Sequence, residues 1–308
     1  MKSIHYNKDF EVSPFGFRNI GVTCYFNALL QSLLSCTSFT QKLIQKKEKY
    51  SNNPVGKLLI ELIKLGIKDN VDLNTVRDYS PKILKEMVML LHKKKNMCIN
   101  EFVNVMQCAG EGYHYLLETL EDYQSIQNLF LHRYKSLIRC FNCKDWISKV
   151  ECMYSLFEVE PDFKTEQLEC FKKYHIDTPD LNSYLSKQSS YVDNEFRCSR
   201  CNIKKERFRI NVLVMVPEIL VVMSKKYNVE QKLNVYTEFP ERMEFEGKEE
   251  NMVYEAVAQI EHSGGRHGGH YWAICKRKDG WYNLNDMSAT PSKFQPTNNT
   301  YIVMYNLM

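Results

Sequence analysis

The chain has 308 residues, 44% of them hydrophobic, and a formal net charge of +4 at pH 7. This apolar content supports a sizeable core, but the small and scattered charge excludes a protein that binds nucleic acid through a clustered basic face. The sequence contains no apolar stretch of the roughly 18 residues that a membrane span needs, and its polar first eight residues lack the apolar region of a signal peptide. We therefore expect neither nucleic acid nor membrane as a partner.

Periodicity divides the chain into a helical first third and a strand-rich remainder. Apolar residues recur at helical spacing over residues 24–35, 55–65, 81–92 and 113–120. Alternation and β-branched content predict strands at 207–216, 219–224, 252–260, 270–276, 280–285 and 301–305. Helices followed by strands are typical of an α+β fold, with a cleft between two packed lobes. The charged segment 162–178 is predicted to be an inserted loop.

Cys24 lies at the predicted start of the first helix, directly after Thr23, a residue type favoured as an N-cap. The unpaired N–H groups and the dipole at a helix start favour an anion, and the thiolate is the nucleophilic form of cysteine. Asn19 stands on the preceding glycine-containing loop, where its amide can donate to a developing oxyanion. The alternative is that Cys24 is simply a small buried apolar residue.

A candidate base occurs far downstream. His270 follows a glycine-rich loop and begins a predicted strand, whereas His262 and His267 are expected in or beside that loop and are poorer candidates. A metal site built from the three histidines is the competing interpretation, but the glycines between them give no fixed ligand geometry. An imidazole base also needs an orienting partner, and the next strand ends with two candidates, Asn285 and Asp286.

Two cysteine pairs have the spacing of a metal site. Cys140 and Cys143, and Cys198 and Cys201, each have the two-residue gap that presents both sulfurs to one tetrahedral ion. A folded hairpin or sheet must bring the pairs together, because residues 144–197 separate them. Disulfides and free thiols are the alternatives. The other cysteines show no pairing pattern, so we expect a reducing, intracellular compartment.

These motifs together resemble the ubiquitin-specific protease family of deubiquitinating cysteine proteases. Residues 19–31, N-I-G-V-T-C-Y-F-N-A-L-L-Q, resemble the family's cysteine box, and residues 254–271 resemble its histidine box. The strand W-Y-N-L-N-D follows the histidine box, as it does in the family. The resemblance covers about residues 15–305. It implies a papain-like fold with a helical thumb, a β-rich palm and fingers that hold one structural zinc on the four paired cysteines.

The resemblance also implies the roles of the site residues. Cys24 is the expected nucleophile, His270 the base and Asn285 the third member of the triad. Asn19 is the expected oxyanion donor. Asp286 is an alternative orienter, because family members differ in which of the two adjacent residues matters more.

A third block of the family lines the channel for the C-terminal tail of ubiquitin, and here it departs from the usual pattern. Cys108 stands where the family has aspartate, and Gly112 stands where it has phenylalanine. Because Gly110 and Gly112 lower helix propensity by about 1 kcal/mol each, the helix is predicted to begin only near Tyr113. An ordinary core helix is the alternative interpretation of this segment. The residues expected to bind the tail are Gln107, Glu111, Gly269 and Tyr271.

The sequence thus predicts one catalytic domain at 14–308, with the thumb at about 14–125, fingers and palm at about 126–308, and an N-terminal extension at 1–13. The expected activity is thiol-dependent hydrolysis of the (iso)peptide bond after the C-terminal glycine of ubiquitin on ubiquitinated proteins, by a monomer. The alternatives are a protease for another ubiquitin-like modifier, a catalytically weak ubiquitin-binding scaffold, and a nucleic-acid module built on the cysteine pairs.

Overall fold

A computed structural model describes residues 8–50, 52–95, 108–120, 124–140, 142–144, 146–161, 187–192, 197–204, 207–227, 231–245, 251–265 and 268–308. The predicted loop at 162–178 lies outside these residues, and so do His267 and Gln107. Helices occupy the N-terminal part and strands the remainder, which confirms the predicted α+β class. No helix in the described ranges is both long and apolar enough to cross a membrane.

The helical part opens with a 3-10 turn at Lys8–Phe10 and continues with α-helices that pack around the first of them. All twelve residues of that first helix are buried, and its buried polar side chains, such as Asn27, Gln31 and Ser35, are hydrogen bonded. The α-helices of the described ranges are α1 Cys24–Ser35, α2 Thr37–Gln45, α3 Lys47–Tyr50, α4 Pro54–Gly66, α5 Leu73–Val76, α6 Tyr79–Lys95, α7 Ala109–Thr119 and α8 Gln124–Gln127.

Helix α7 begins earlier than predicted. Cys108 is its N-cap, and the Glu111 side chain accepts the Cys108 backbone N–H at 3.4 Å. The glycines inside it allow close packing: a Cβ at Gly112 would lie 3.0 Å from the Tyr25 ring, and one at Gly110 would lie 2.6 Å from a methionine sulfur. The prediction of a start near residue 113 was therefore wrong, because tertiary contact outweighs a propensity difference of about 1 kcal/mol per glycine.

The strands of the described residues form two sheets. A four-stranded antiparallel sheet has the order β2-β1-β5-β4. An eight-stranded sheet has the order β11-β10-β9-β8-β12-β6-β3, with β7 paired to β8. The bounds are β1 His132–Cys140, β2 Trp146–Tyr154, β3 Phe157–Val159, β4 Lys187–Val192, β5 Arg207–Met215, β6 Ile219–Ser224, β7 Arg242–Phe245, β8 Met252–Gly264, β9 Gly269–Arg277, β10 Gly280–Asn285, β11 Ser288–Ser292 and β12 Thr300–Leu307.

The main core lies between the helices and one face of the large sheet. It joins α1, α2, α4, α6 and α7 to the buried sides of β8, β9 and β12. A second cluster covers the other side of the large sheet and includes residues of β1 and β3. There the His132 ring of β1 stacks on the Phe157 ring of β3, with centroids 3.5 Å apart. This stack joins the small sheet to the large one.

Two buried histidines should make the fold acid-sensitive. Burial lowers the pKa of His132 to about 3 and that of His262 to about 4, below the ordinary value of about 6.5. Between these values the unfolded chain binds more protons, so the free energy of unfolding falls as pH falls from about 6.5, by about 3 kcal/mol per histidine at pH 4.

The contribution of His132 to acid sensitivity is tested by chemical denaturation of wild type and His132→Phe at pH 7 and pH 4.5. The variant should lose less stability between the two pH values than wild type, by about 2 kcal/mol or more. Other acid-sensitive groups act equally in both proteins and cancel in the difference. Equal losses would contradict the proposed role of His132.

Candidate active site

Cys24 is the first residue of α1 and is only 3% exposed. The preceding residue, Thr23, occupies the N-cap position, and its carbonyl accepts the backbone N–H groups of Phe26 and Asn27. Its hydroxyl makes no capping bond to the helix, contrary to prediction. The hydroxyl instead donates to Asn19 Oδ1 at 3.2 Å. The threonine therefore fixes the loop that leads to the thiol.

The surroundings of Cys24 act on its thiol in opposite directions. Burial raises the pKa of Cys24, a backbone hydrogen bond from Tyr271 lowers it, and the nearby charge of Asp286 raises it, with a net upward shift. Among the described residues, no hydrogen bond joins the thiol to His270. Cys24 is consequently a neutral thiol at neutral pH in this structure.

His270 lies near the start of β9, beside the last residue of β10. Its Nε2 is 2.6 Å from Asn285 Oδ1. Because a side-chain carbonyl oxygen only accepts, Nε2 carries the hydrogen and Nδ1 has its lone pair available. The ring also stacks on Trp272, with centroids 6.1 Å apart. Asn285 therefore fixes both the orientation and the tautomer of the imidazole.

Asp286 makes different contacts from its neighbour. It has a left-handed backbone (φ 48°), and its carboxylate accepts Asn19 Nδ2 at 3.0 Å and Asn27 Nδ2 at 2.8 Å. Its backbone carbonyl accepts the Phe17 N–H at 2.7 Å. The two adjacent candidates therefore contact different groups: Asn285 contacts the imidazole, and Asp286 contacts two asparagines.

Asn19 is held at both ends of its amide. Its Oδ1 accepts the Gly21 N–H at 3.0 Å and the Thr23 hydroxyl at 3.2 Å, while Nδ2 donates to Asp286. An amide nitrogen has two hydrogens, and Asp286 takes one of them. Among the described residues, no hydrogen bond uses the second.

Asn27 was missed at the sequence level. It lies three residues after Cys24 on α1, is 3% exposed, and receives the Ser80 hydroxyl on Oδ1 at 2.5 Å while donating to Asp286. A polar residue one helical turn from the candidate nucleophile, inside an otherwise apolar run, was the available signal. Its contacts connect α6 to the end of β10.

His262 was predicted in or beside the glycine-rich loop. It lies instead inside β8, which is longer than predicted. It is 2% exposed, and its Nδ1 is 2.7 Å from the Tyr227 hydroxyl. A Cβ at Gly269 would lie 2.5 Å from His262 Nε2, so only glycine fits there. Within the described residues, neither His262 nor His270 belongs to a group that can hold a metal ion. His267, the third histidine of the metal hypothesis, lies outside the described residues, so that hypothesis stays untested.

Three of the expected tail-binding residues are described: Glu111 lies in the first turn of α7, and Gly269 and Tyr271 lie at the start of β9. Cys108 Sγ is 2.8 Å from the Tyr301 hydroxyl, and burial raises the pKa of this thiol. Glu111 is partly committed to the cap of α7. The Tyr271 ring lies 6.2 Å from the Tyr301 ring. The position that the family gives to a carboxylate is therefore occupied here by a neutral, hydrogen-bonded thiol.

A cavity of about 770 Å³ opens between α7 and the strands β1 to β3. Its lining includes His114 of α7 and Phe157 of β3. Met153 and Tyr154, at the end of β2, border it and are 61% and 51% exposed. Large apolar side chains exposed beside a cavity are typical of a surface that binds another protein.

The four paired cysteines converge at one end of the small sheet. Their sulfur atoms all lie within 4.8 Å of one another, and the cross-pair distances are 3.7 Å for Cys140 to Cys201 and 3.8 Å for Cys143 to Cys198. These distances exceed the S–S bond length of about 2.05 Å, and no described cysteine forms a disulfide. The residue after each pair is left-handed, with φ 56° in both cases. The arrangement can hold one metal ion.

Comparisons with known proteins show the family of the chain. The family model described as ubiquitin carboxyl-terminal hydrolase matches residues 15–305. Ubiquitin carboxyl-terminal hydrolase 4 of Arabidopsis thaliana is 25% identical, over 89% of this chain and 84% of that protein. Ubiquitin carboxyl-terminal hydrolase 12 of Salmo salar is 23% identical, over 88% and 80%.

Solved structures show the same fold. A chain of the SAGA DUB module bound to monoubiquitin superposes with a TM-score of 0.74 at 17% identity, over 98% of this chain and 70% of that one. The module bound to ubiquitin aldehyde gives 0.73 at 18% identity, over 98% and 71%. The predicted fold class and family are confirmed. The chain belongs to the ubiquitin carboxyl-terminal hydrolase family and is a cysteine-type deubiquitinase.

Proposed function

We propose that the chain hydrolyses the (iso)peptide bond after the C-terminal glycine of ubiquitin, with Cys24 as nucleophile, His270 as base and Asn285 as the group that orients the base. One observation carries the assignment. Asn285 Oδ1 lies 2.6 Å from His270 Nε2, and the backbone of the next residue, Tyr271, acts to lower the pKa of the Cys24 thiol at the start of α1. Nucleophile, base and orienter are thus in the order that the triad chemistry needs.

Acylation begins from the neutral thiol. As Cys24 Sγ attacks the carbonyl carbon of the terminal glycine, its proton passes to His270 Nδ1, and Asn285 Oδ1 stabilises the imidazolium that forms. The tetrahedral intermediate collapses, the C–N bond breaks and His270 donates the proton to the departing amine, so lysine leaves as a neutral amine. A thioester between Cys24 and the modifier remains.

Water then completes the reaction. His270 accepts a proton from the attacking water, the C–S bond breaks, and the proton returns to Cys24 while the modifier leaves with a free carboxylate. In both steps the oxyanion accepts the second N–H of Asn19 and backbone N–H groups at the start of α1. Asp286 acts through Asn19, because its carboxylate holds the amide that must point at the oxyanion.

Substrate contacts follow from the surfaces around the thiol. We assign the modifier's tail to the passage between α7 and the start of β9, with Glu111, Gly269 and Tyr271 as described contacts. The folded body of the modifier docks at the 770 Å³ cavity, where Met153 is exposed. A ubiquitin-like modifier other than ubiquitin is the second candidate, and the neutral Cys108 is the observation that favours it.

The cysteine cluster is assigned one structural zinc ion. Four thiols at mutual distances below 4.8 Å fit the tetrahedral ligand set of zinc. Cys140, Cys143, Cys198 and Cys201 would hold the ion and thereby tie β1 to the 197–204 turn. All four ligands come from protein, so a zinc ion there stabilises the fold and takes no part in the hydrolysis.

The division between Asn285 and Asp286 can be tested on a fluorogenic ubiquitin substrate. Removing the base in His270→Ala should abolish turnover, while Asn19→Ala should lower kcat on the order of 10² to 10³. If Asp286 acts through Asn19, the double variant Asn19→Ala/Asp286→Ala should have nearly the same kcat as Asn19→Ala alone.

The matched control is Asn285→Ala added to Asn19→Ala. Because Asn285 acts through His270, its loss should multiply with the loss of Asn19. If the kcat losses of Asp286→Ala and Asn19→Ala also multiply in the double variant, Asp286 does not act through Asn19.

Metal analysis should find about one zinc per chain. Cys143→Ser and Cys201→Ser should each lower the free energy of unfolding and the zinc content. Cys152→Ser, a half-buried cysteine of β2 outside the cluster, is the control and should retain the metal. Metal-free protein with unchanged stability would rule out a structural zinc.

Cys108→Asp should lower KM for the ubiquitin substrate roughly tenfold, with kcat nearly unchanged, because a carboxylate there would meet the basic tail. Tyr301 can donate to that carboxylate from the position where it now contacts sulfur. The uncharged variant Cys108→Ser is the control and should leave KM within about twofold. An unchanged or higher KM in Cys108→Asp would show that the passage is built for a different tail.

A further inference from the structure

Arg277, the last residue of β9, is 3% exposed and is bonded only to neutral groups in the contacts that the structure gives it. Its Nη2 donates to the Gln31 carbonyl at 3.1 Å and to Gln31 Oε1 at 2.6 Å. Its Nη1 donates to the Ser35 hydroxyl and to the Lys276 carbonyl at 3.2 Å. The guanidinium is therefore buried against the last turn of α1.

A buried cation without an acidic partner is costly, and apolar replacement of buried ions is often neutral or stabilising. The C-terminal end of a helix favours a cation, which offsets part of the cost. Net stability alone does not account for an arginine here. Its geometry supplies a separate reason.

Helix α1 and strand β9 run in the same direction and lie against each other at both ends. At one end the backbone of Tyr271 acts to lower the pKa of the Cys24 thiol, and at the other end Arg277 donates hydrogen bonds to Gln31 and Ser35. Eleven helical steps from Cys24 span about 16 Å, and six strand steps from Tyr271 span about 20 Å. The hydrogen bonds of Arg277 therefore fix how far the helix lies along the strand.

The packing between these ends does not fix that position by itself. On the helix-facing side of β9, Tyr271 and Arg277 are separated by Ala273 and Cys275, both fully buried. Ala273 has no polar atom with which to make a directional contact, while the Cys275 thiol lies among Ser32, Ser35 and the guanidinium and so belongs to the Arg277 end. Directional hydrogen bonds at the C-terminal end are needed to select one position.

Gln31 extends the attachment to a third segment. While Oε1 accepts from Arg277, its Nε2 donates to the Phe15 carbonyl at 2.6 Å. Residues 15–19 lead directly to Asn19, and Phe17 is bonded to the backbone of Asp286. The guanidinium thus also orients the amide that holds the loop of the oxyanion donor.

We propose that Arg277 is a positioning residue for the reaction, which holds the far end of α1 on β9 so that Cys24, His270 and Asn19 meet in one geometry. The inference rests on the proposed function of this site. Misplacement of reacting groups by about 1 Å can cost on the order of 10²-fold in rate. Arg277 touches neither substrate nor reacting atoms.

The test compares Arg277→Met, Arg277→Lys and the control Asn306→Ala. Asn306 is also buried and joins the sheet to a helix, through Thr37 of α2 at 3.0 Å rather than through α1. Each protein is measured for thermal unfolding, for kcat and KM on a fluorogenic ubiquitin substrate, and for the pH dependence of Cys24 alkylation by iodoacetamide, read by mass spectrometry.

Arg277→Met should lower kcat on the order of tenfold to a hundredfold with KM within about twofold. Its alkylation midpoint should rise by about 0.5 pH unit or more, because the thiolate loses the Tyr271 N–H. Arg277→Lys should fall between wild type and Arg277→Met, since one ammonium with three hydrogens cannot reproduce the four hydrogen bonds of the guanidinium. Asn306→Ala should keep kcat within about twofold at a similar loss of melting temperature.

The proposal is overturned if kcat and the alkylation profile of Arg277→Met match wild type, or if Asn306→Ala loses kcat equally. Should Arg277→Met fail to fold, wild-type kcat in Arg277→Lys overturns it. If wild type cleaves no ubiquitin substrate, the proposed function fails instead. In that case only the pH dependence of Cys24 alkylation tests the positioning role of Arg277. Identical profiles for wild type and the Arg277 variants would reject that role.

Discussion

Burial of α1 along β9 is the constraint on which the site depends. A helix buried on every residue places its first side chain, Cys24, in surroundings that oppose a charge, and the raised pKa of the thiol is the result. The backbone N–H of Tyr271 and the free N–H groups of the helix start act in the opposite direction. A thiol in this balance needs a base close by, and β9 supplies it one residue from Tyr271.

The β9–β10 hairpin then sets the remaining geometry. Its register pairs Ala273 with Leu284, which brings the end of β10 beside the start of β9. The last strand residue, Asn285, faces the imidazole, and the left-handed Asp286 turns its carboxylate to Asn19 and Asn27. Two adjacent side chains can therefore orient two different parts of the site, because the backbone changes from a strand conformation at Asn285 to a left-handed one at Asp286.

The sequence predicted the elements whose local pattern is strong and missed what depends on space or distant contact. Helix α1, the strands β9 and β10 and the convergence of the cysteine pairs follow from periodicity and spacing. The start of α7 could not be predicted in this way. The Tyr25 ring packs against Gly112, and local sequence does not show that contact. Thr23 occupies the N-cap position, but its hydroxyl oxygen accepts the Ile20 N–H instead of a helix N–H, and its hydrogen is donated to Asn19. His262 was misplaced because nothing in a glycine-rich run shows where a long strand ends. Asn27 and Arg277 take their roles from residues distant in sequence, Asn27 from Ser80 and Asp286, and Arg277 from Gln31 and Ser35.

The central claim is that Cys24 acts as the nucleophile on ubiquitin. The most direct measurement incubates wild type and Cys24→Ala with ubiquitin and ubiquitin-like proteins that carry a C-terminal electrophile, and reads the adduct by intact mass. The account predicts one modifier per wild-type chain, attached at Cys24, and no adduct in Cys24→Ala. Binding of ubiquitin without an adduct in wild type would contradict it and identify a scaffold, while reaction only with another modifier would reassign the substrate.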